Sequence, residues 1–298
     1  MTKYIGRFAP SPTGPLHFGS LIAATASYLE AHVHNGDWVI RIEDLDKPRE
    51  VIGATDSILQ TLQDFGFVWN GNLIYQSQRH DAYQSALNIL QNHDRIYPCC
   101  CSRKEIADSA TGTGIEGLVY PGTCSNGLSK SSNHIAYRVR APQTAIEFND
   151  AIQGKIRQNL ATDIGDFVLK RADGLFAYQL AVVLDDAMQG MTHVVRGADL
   201  LGSTPRQIYL QQLLGLATPN YAHLPIASNQ QGEKLSKQTL AQALNARKAN
   251  QQLWQALSFL GQAPAIELQY EPLNMVWDWA KANWDLQHVP KQRAIMVH

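Results

Sequence analysis

Two short segments carry residue types and spacings suited to a nucleoside triphosphate. The first, Pro10-Ser11-Pro12-Thr13-Gly14-Pro15-Leu16-His17-Phe18-Gly19-Ser20, is a proline-rich stretch leading into a run rich in Ala and Leu. A strand-to-helix loop at the carboxyl edge of a parallel sheet is where α/β folds bind nucleotides. The N–H groups and positive dipole end of the following helix suit phosphate. There His17 offers a hydrogen-bond donor to a phosphate oxygen, and Gly19 lets a ligand approach the backbone. The second segment, Gly232-Glu233-Lys234-Leu235-Ser236-Lys237-Gln238, lies far downstream. Two lysines three apart on a loop can converge on a polyphosphate and stabilise the charge that develops on a leaving group. Alone, each segment has a plain reading as a helix-entry turn or a solvated lysine pair. Together they describe one site.

The four cysteines stand at positions 99, 100, 101 and 124. Such clustering in an intracellular chain points to metal ligation before disulfides. In an extended segment Cys99 and Cys101 face the same side, and with Cys124 they supply three of the four ligands of a tetrahedral Zn²⁺ site. From the residues alone, His93, His134, Cys100 and Tyr120 compete for the fourth position.

The elements that position these groups alternate. Tyr4–Phe8 reads as a strand, residues 9–15 as loop, and the stretch from Leu16 as a helix. Trp38–Ile42 reads as a second strand ending in the acidic turn Glu43-Asp44-Leu45-Asp46. Two amphipathic helices follow, with Ile58, Leu62 and Phe65 on one face of the first and Tyr83, Leu87 and Leu90 on one face of the second. This rhythm predicts an α/β fold, a parallel sheet with crossover helices. It breaks over residues 99–134, rich in Gly and Ser, which read as an insertion. Ile135–Arg140 and Asp166–Lys170 read as strands, the latter turning at Ala172-Asp173-Gly174 into Leu175–Tyr178 as a hairpin. A strand His193–Arg196, a helix Pro205–Leu214, a strand Ala222–Ile226 and a helical C-terminal region complete the chain. Trp254, Trp277, Trp279 and Trp284 read as packing residues in that last region, and Lys281, Lys291 and Arg293 as a solvated face or an RNA patch.

The bulk properties agree with a compact enzyme. The chain has 298 residues, 45% of them hydrophobic, enough for a substantial core. No apolar run reaches the roughly 20 residues of a membrane span, and the start lacks a signal-peptide pattern, so a cytoplasmic location is expected. The formal net charge of −1 leaves no global basic footprint, so any RNA must be met by local patches.

The two segments resemble the His-x-Gly-His and Lys-Met-Ser-Lys-Ser signatures of class I aminoacyl-tRNA synthetases, here His17-Phe18-Gly19-Ser20 and Lys234-Leu235-Ser236-Lys237-Gln238. Ser20 replaces the second histidine and Gln238 the final serine. Arg7-Phe8-Ala9-Pro10-Ser11-Pro12-Thr13-Gly14-Pro15-Leu16-His17 and Arg41-Ile42-Glu43-Asp44-Leu45-Asp46 resemble the glutamyl-tRNA synthetases and their relatives more specifically. The similarity runs from Arg7 to at least Gln238. Only about 60 residues follow the lysine loop, too few for the anticodon-reading module of discriminating glutamyl enzymes. With Gly19-Ser20-Leu21 and Gly197-Ala198-Asp199-Leu200-Leu201-Gly202-Ser203-Thr204-Pro205-Arg206-Gln207, this is similar to the glutamyl-Q tRNA(Asp) synthetase family.

The resemblance implies a Rossmann-like catalytic domain over 1–98 and 180–228, a zinc-bearing insertion over 99–179, and the lysine loop with a helical C-terminal region over 229–298, with no anticodon-binding domain. It implies that ATP activates glutamate as its adenylate, with Mg²⁺ accompanying the nucleotide, and that glutamate then passes to the queuosine base of tRNA(Asp). His17, Gly19, Ser20 and Lys237 would bind ATP, with His17, Gly19, Lys234 and Lys237 as the catalytic set. Arg7, the residues Ala9, Pro10 and Ser11, Glu43, Tyr178 and Arg196 would hold glutamate, Glu43 accepting from the ammonium and Arg196 meeting the side-chain carboxylate. The implied zinc ligands are Cys99, Cys101, Tyr120 and Cys124, in a structural role. Two other functions stand beside this one: charging of tRNA(Glu) by a shortened synthetase, and RNA binding by an inactive paralogue.

Overall fold

The structure is a computed structural model that describes residues 3–110, 112–115, 117–229 and 242–297. The opening unit is strand–helix–strand. β1 (Ile5–Phe8) leads through the proline-rich turn into α1 (Phe18–Val33), which returns the chain to β2 (Asp37–Ile42), parallel to β1. Gly14 occupies the turn at φ 132°, a conformation that a side chain disfavours. α1 is buried over most of its surface, from Leu21 to Ala31, which is why its sequence shows little polar periodicity. α2 (Ala54–Asp64) buries Ile58 and Leu62, β3 (Ile74–Tyr75) pairs parallel with β2, and α3 (His80–Asn92) buries Tyr83, Leu87 and Leu90, the faces expected from spacing.

An antiparallel sheet interrupts this order. β4 (Ile96–Cys99) and β10 (Phe167–Lys170) flank β7 (Ala136–Val139). Between them lie α4 (Arg103–Ser109), with a Ser102–Glu105 capping box, and the two-residue strands β5 (Thr113–Gly114) and β6 (Gly117–Leu118). A hairpin of β8 (Ile146–Asp150) and β9 (Gly154–Gln158) follows, then the short α5 (Leu160–Asp163). No strand pattern announces that hairpin, because β9 is mostly exposed and carries Lys155 and Arg157. The hairpin expected at 172–178 is reduced to one bridge between Lys170 and Phe176, since Tyr178 already opens a helix.

That helix, α6 (Tyr178–Met188), brings the chain back to the parallel sheet. β11 (His193–Gly197), α7 (Thr204–Leu214) and β12 (Asn220–Leu224) form a second strand–helix–strand unit, with β11 parallel to β12 and β8 joining the far edge of β12. The unit adjoins β1: Thr192 N–H donates to the Ile5 carbonyl at 3.0 Å, Ile5 N–H donates to the Thr192 hydroxyl at 2.8 Å, and the Tyr4 and His193 rings stack at 4.1 Å. Chain order therefore reverses between β1 and β11, the place where an open α/β sheet forms a crevice at its carboxyl edge.

β13 (Ile226–Ser228) leads into the lysine segment, of which residues 230–241 lie outside the described residues. The chain reappears beside α1 and continues into α8 (Ala249–Phe259), α9 (Leu273–Asn283) and β14 (Ala294–Met296), which pairs parallel with β13. Tryptophans anchor this region. Trp277 Nε1 donates to the Phe65 carbonyl at 2.8 Å, and Trp284 Nε1 donates to Glu30 of α1 at 2.7 Å. Both are buried, so packing is their role. Among the described residues no helix is long and apolar enough to cross a membrane.

Candidate active site

The carboxyl ends of β1, β2 and β11 converge, and each delivers a charged side chain. Arg7 lies on β1, Glu43 follows β2, Arg196 lies on β11, and Tyr178 joins them from the first turn of α6. Arg7 and Arg196 are 4% and 5% exposed, so neither is an ordinary surface ion. Tyr178 feels Arg196, Glu43 and Arg7 together, and burial above all raises its phenol pKa. The four expected pocket residues are thus neighbours. The loop carrying Ala9, Pro10 and Ser11 is tied to them, because Glu43 N–H donates to the Pro10 carbonyl at 3.0 Å. A cavity of 130 Å³ opens beside Ser11, Pro12, Thr13 and Glu43; its other walls are Asp44, Asp46, Arg49 and Glu50, so it shares Glu43 with the cluster without reaching Arg7, Tyr178 or Arg196.

Each arginine is held by residues for which the sequence reading had no role. Arg7 Nε and Nη2 donate to the two carboxylate oxygens of Asp186 at 3.1 and 3.4 Å. Arg41, fully buried, donates through Nη1 to Asp186 at 2.7 Å and to Gln189 at 2.8 Å, and through Nη2 to Glu43 at 3.2 Å. Burial alone would raise the Asp186 carboxyl, but Arg7 and Arg41 outweigh it and hold it below its ordinary value. Burial raises the Glu43 carboxyl, against the pull of Arg41 and Arg7. The pairing leaves Arg7 Nη1 without a hydrogen bond among the described residues, a donor directed by a bridge that fixes the rest of the guanidinium.

Arg196 is held from three sides. Nε donates to His223 Nε2 at 3.1 Å, and Nη2 donates to Thr204 Oγ1 at 2.8 Å and Gln207 Oε1 at 2.7 Å. Among the described residues Nη1 has only the Tyr178 hydroxyl, at 3.4 Å. His223 Nδ1 lies 2.6 Å from Asp150 Oδ2. Guanidinium can only donate, so His223 Nε2 accepts and the ring proton sits on Nδ1. The imidazole is neutral, and its contact with Asp150 is a hydrogen bond rather than an ion pair. Burial, aided by the Arg196 charge and opposed by Asp150, keeps the ring's pKa at about 4. Two adjacent acids in the apolar helix Tyr178–Met188 were a signal for part of this network. Asp186 serves Arg7 and Arg41, and Asp185, wholly buried, accepts from Gln76, Arg79 and Tyr83.

His17 is the N-cap of α1, and its Nδ1 accepts from Gly19 N–H at 3.1 Å. That bond places the ring proton on Nε2. Gly19 and Ser20 form the first turn of the helix, where N–H groups face the loop. Lys234 and Lys237 lie outside the described residues. The chain that emerges from their segment is beside the first motif: Ala243 bridges His17, and Leu244 N–H donates to the Leu16 carbonyl at 3.0 Å.

The thiols of Cys99, Cys101 and Cys124 lie within 4.8 Å of one another. The Tyr120 hydroxyl is 3.3 Å from Cys99 Sγ, 3.6 Å from Cys101 Sγ, and accepts from Cys124 N–H at 2.9 Å. Cys100 Sγ is 3.9 Å from Cys124 Sγ but outside the mutually close group of three, and it also contacts Ser129 and the Lys130 carbonyl, while His93 and His134 are exposed, the former bonded to Ile89. Backbone contacts from Cys100 and Ser129 overcome burial and lower the Cys124 thiol to about 6, whereas burial raises the Cys101 thiol to about 11 and also raises the Tyr120 phenol, so those two would give up their protons only to a bound metal. Arg138 lies over the Tyr120 ring and donates to Cys99 Sγ at 3.3 Å. The donor set fits Zn²⁺. A second cavity, of 240 Å³, borders Tyr120 and Arg138 rather than the arginine pocket.

A crevice at the strand-order reversal, a His-Gly helix entry and paired arginine anchors define a class I aminoacyl-tRNA synthetase catalytic domain. The sequence pattern of class I tRNA synthetases (E and Q), catalytic domain, matches residues 4–260. The glutamyl-Q tRNA(Asp) synthetase of Dechloromonas aromatica is 56% identical over 99% of this chain and 99% of its own, and that of Chromobacterium violaceum 55% over 96% and 95%. The chain belongs to the glutamyl-Q tRNA(Asp) synthetase family. Among solved structures, the glutamate-tRNA synthetase of Elizabethkingia anophelis superposes with a TM-score of 0.79 at 25% identity, covering 98% of this chain and 67% of that one.

Proposed function

We propose that this enzyme activates glutamate with ATP and transfers it to the queuosine base in the anticodon of tRNA(Asp). The observation that carries the site is the meeting of His17 with the chain that follows the lysine segment, on a domain that also gathers Arg7, Glu43, Tyr178 and Arg196 into one charged cluster. In this reading the glutamate α-carboxylate attacks the α-phosphorus of ATP and pyrophosphate departs. No protein nucleophile is needed, and positioning with charge stabilisation supplies the rate. His17 Nε2–H and the first-turn N–H of Ser20 meet phosphate oxygens, while the Gly19 N–H stays with His17 Nδ1 and the missing side chain of Gly19 lets the nucleotide approach. Lys234 and Lys237, with Mg²⁺ on the nucleotide, neutralise the leaving group. Glu43 accepts from the substrate ammonium, the 9–11 loop borders the amino acid, and Arg196 meets the side-chain carboxylate.

Radiolabelled glutamate and ATP, offered with tRNA(Asp) bearing or lacking queuosine and with tRNA(Glu), test the reading. Label is expected only on queuosine-containing tRNA(Asp). Label at the 3′ end of tRNA(Glu) would favour a shortened glutamyl-tRNA synthetase, and absence of glutamate-dependent pyrophosphate–ATP exchange an inactive paralogue. The names of the relatives favour the first outcome.

Cys99, Cys101, Cys124 and Tyr120 are assigned as ligands of a structural Zn²⁺, which would pin the β4–β7 region. Chelation is expected to release about one zinc per chain and to increase proteolysis and amide exchange over residues 99–134. Glutamate-independent ATP binding should persist. Unchanged exchange in that segment after complete zinc loss would remove the structural role.

A further inference from the structure

Resting on the assignment of Arg196 to the glutamate side chain, we infer that Asp150 and His223 form a positioning relay that orients Arg196 and so sets selectivity for a carboxylate side chain. Asp150 ends β8 and His223 lies on β12. Neither touches the cavity beside Ser11, and both side chains are 0% exposed. A buried carboxylate and a buried imidazole are costly to retain for packing alone, and their hydrogen bonds run in one direction. Asp150 Oδ1 accepts from the backbone N–H groups of Ile152, Gln153 and His223, at 3.0, 2.9 and 3.1 Å. Its other oxygen takes the His223 Nδ1 proton. That leaves Nε2 as a lone pair, the acceptor that Arg196 Nε–H requires.

A count of donors shows what the relay accomplishes. Guanidinium carries five N–H groups. The Nε proton goes to His223, and the two on Nη2 go to Thr204 and Gln207. Only Nη1 is left, with Tyr178 as its long contact. Among the described residues the acceptors behind Arg196 thus take every donor except those on the edge toward Tyr178. A substrate carboxylate is received end-on at Nη1. The neutral state of His223 matters as well. A protonated ring would set a second cation against Arg196 and reverse the direction of the bond.

Asp150→Asn isolates the device. The three backbone N–H groups keep the amide oxygen in the Oδ1 place, so the amide NH₂ faces His223 Nδ1 and forces the proton onto Nε2. The ring can then donate to Thr204, 3.0 Å away, but it confronts Arg196 Nε–H proton to proton. An Asp-to-Asn change beside a histidine acts in this way in the serine-protease triad. His223→Gln is the counterpart. Its amide can accept from Arg196 and donate to Asp150, though the buried ring shape is lost.

The measurement is glutamate-dependent pyrophosphate–ATP exchange, with glutamine as competitor substrate and thermal unfolding in parallel. Asp150→Asn is expected to raise KM for glutamate by about tenfold or more while leaving KM for ATP within about twofold. It should lower the preference for glutamate over glutamine in kcat/KM, and His223→Gln should be the milder of the two. A purely structural role predicts the opposite order, with the buried ring replacement worse than the isosteric amide. That order, or equal losses for both substrates, overturns the relay. Arg196→Ala in the same assay separates the two claims. If it spares glutamate, the pocket assignment itself fails. If it abolishes glutamate use while Asp150→Asn does not, only the relay fails.

Discussion

Arg196→Ala is expected to reduce kcat/KM for glutamate by about 30- to 5,000-fold, corresponding to about 2–5 kcal/mol for removing one partner of a buried, hydrogen-bonded charge pair. Arg196 is nearly buried, and the substrate carboxylate would keep its charge without the guanidinium. His223, Thr204 and Gln207 would also lose a donor each. The loss should fall on glutamate, because Arg196 lies on β11 whereas the groups proposed to meet phosphate lie at the start of α1. Exchange kinetics at varied glutamate and varied ATP check this. Equal loss for both substrates, or a loss below fivefold for glutamate, would place the side-chain pocket elsewhere.

Asp186→Ala is expected to destabilise the fold by about 3–5 kcal/mol, because it leaves two cations without their shared counterion. Arg7 is nearly and Arg41 wholly buried, and Arg41 Nε already lacks a hydrogen-bond partner. The guanidinium of Arg41 cannot escape by losing its proton: burial lowers its pKa, but Asp186, Glu43 and Asp185 more than reverse that and raise it. Urea titration should show a lower midpoint at an unchanged slope. A change under about 1 kcal/mol would show that water replaces Asp186 at no cost. The same carboxyl has a folded pKa below its unfolded one. Its stabilisation is therefore complete above about pH 4 and is lost as acid carries the solution through the folded value. Acid unfolding of the parent should begin below that point, and Asp186→Ala should flatten this limb.

Local chemistry was legible in the sequence, and partnerships were not. The strand, proline-rich turn and helix from Tyr4 to Val33 are dictated by residues within a few positions of one another, and the faces of α2 and α3 follow from spacing. Arg7, Glu43, Tyr178 and Arg196 came through family resemblance, and they do sit together. Their roles rest on partners far along the chain, Asp186 for Arg7 and His223 and Asp150 for Arg196. No periodicity announces a buried ion pair between distant segments. The β8–β9 hairpin escaped because half its residues face water. Three thiols could be counted in advance, but four groups competed for the last ligand position. Only the folded loop shows Tyr120 among the sulfurs, with Cys100 near Cys124 alone.

The pairing of β14 with β13 joins two parts that the linear order keeps apart. Ile226, Ala227 and Ser228 are held in register with Ala294, Ile295 and Met296, immediately before the lysine segment begins. The connection from α9 to β14 is short, and α9 itself is bolted to the catalytic body through Trp277. Through this ladder the C-terminal helices brace the strand that precedes the lysine segment.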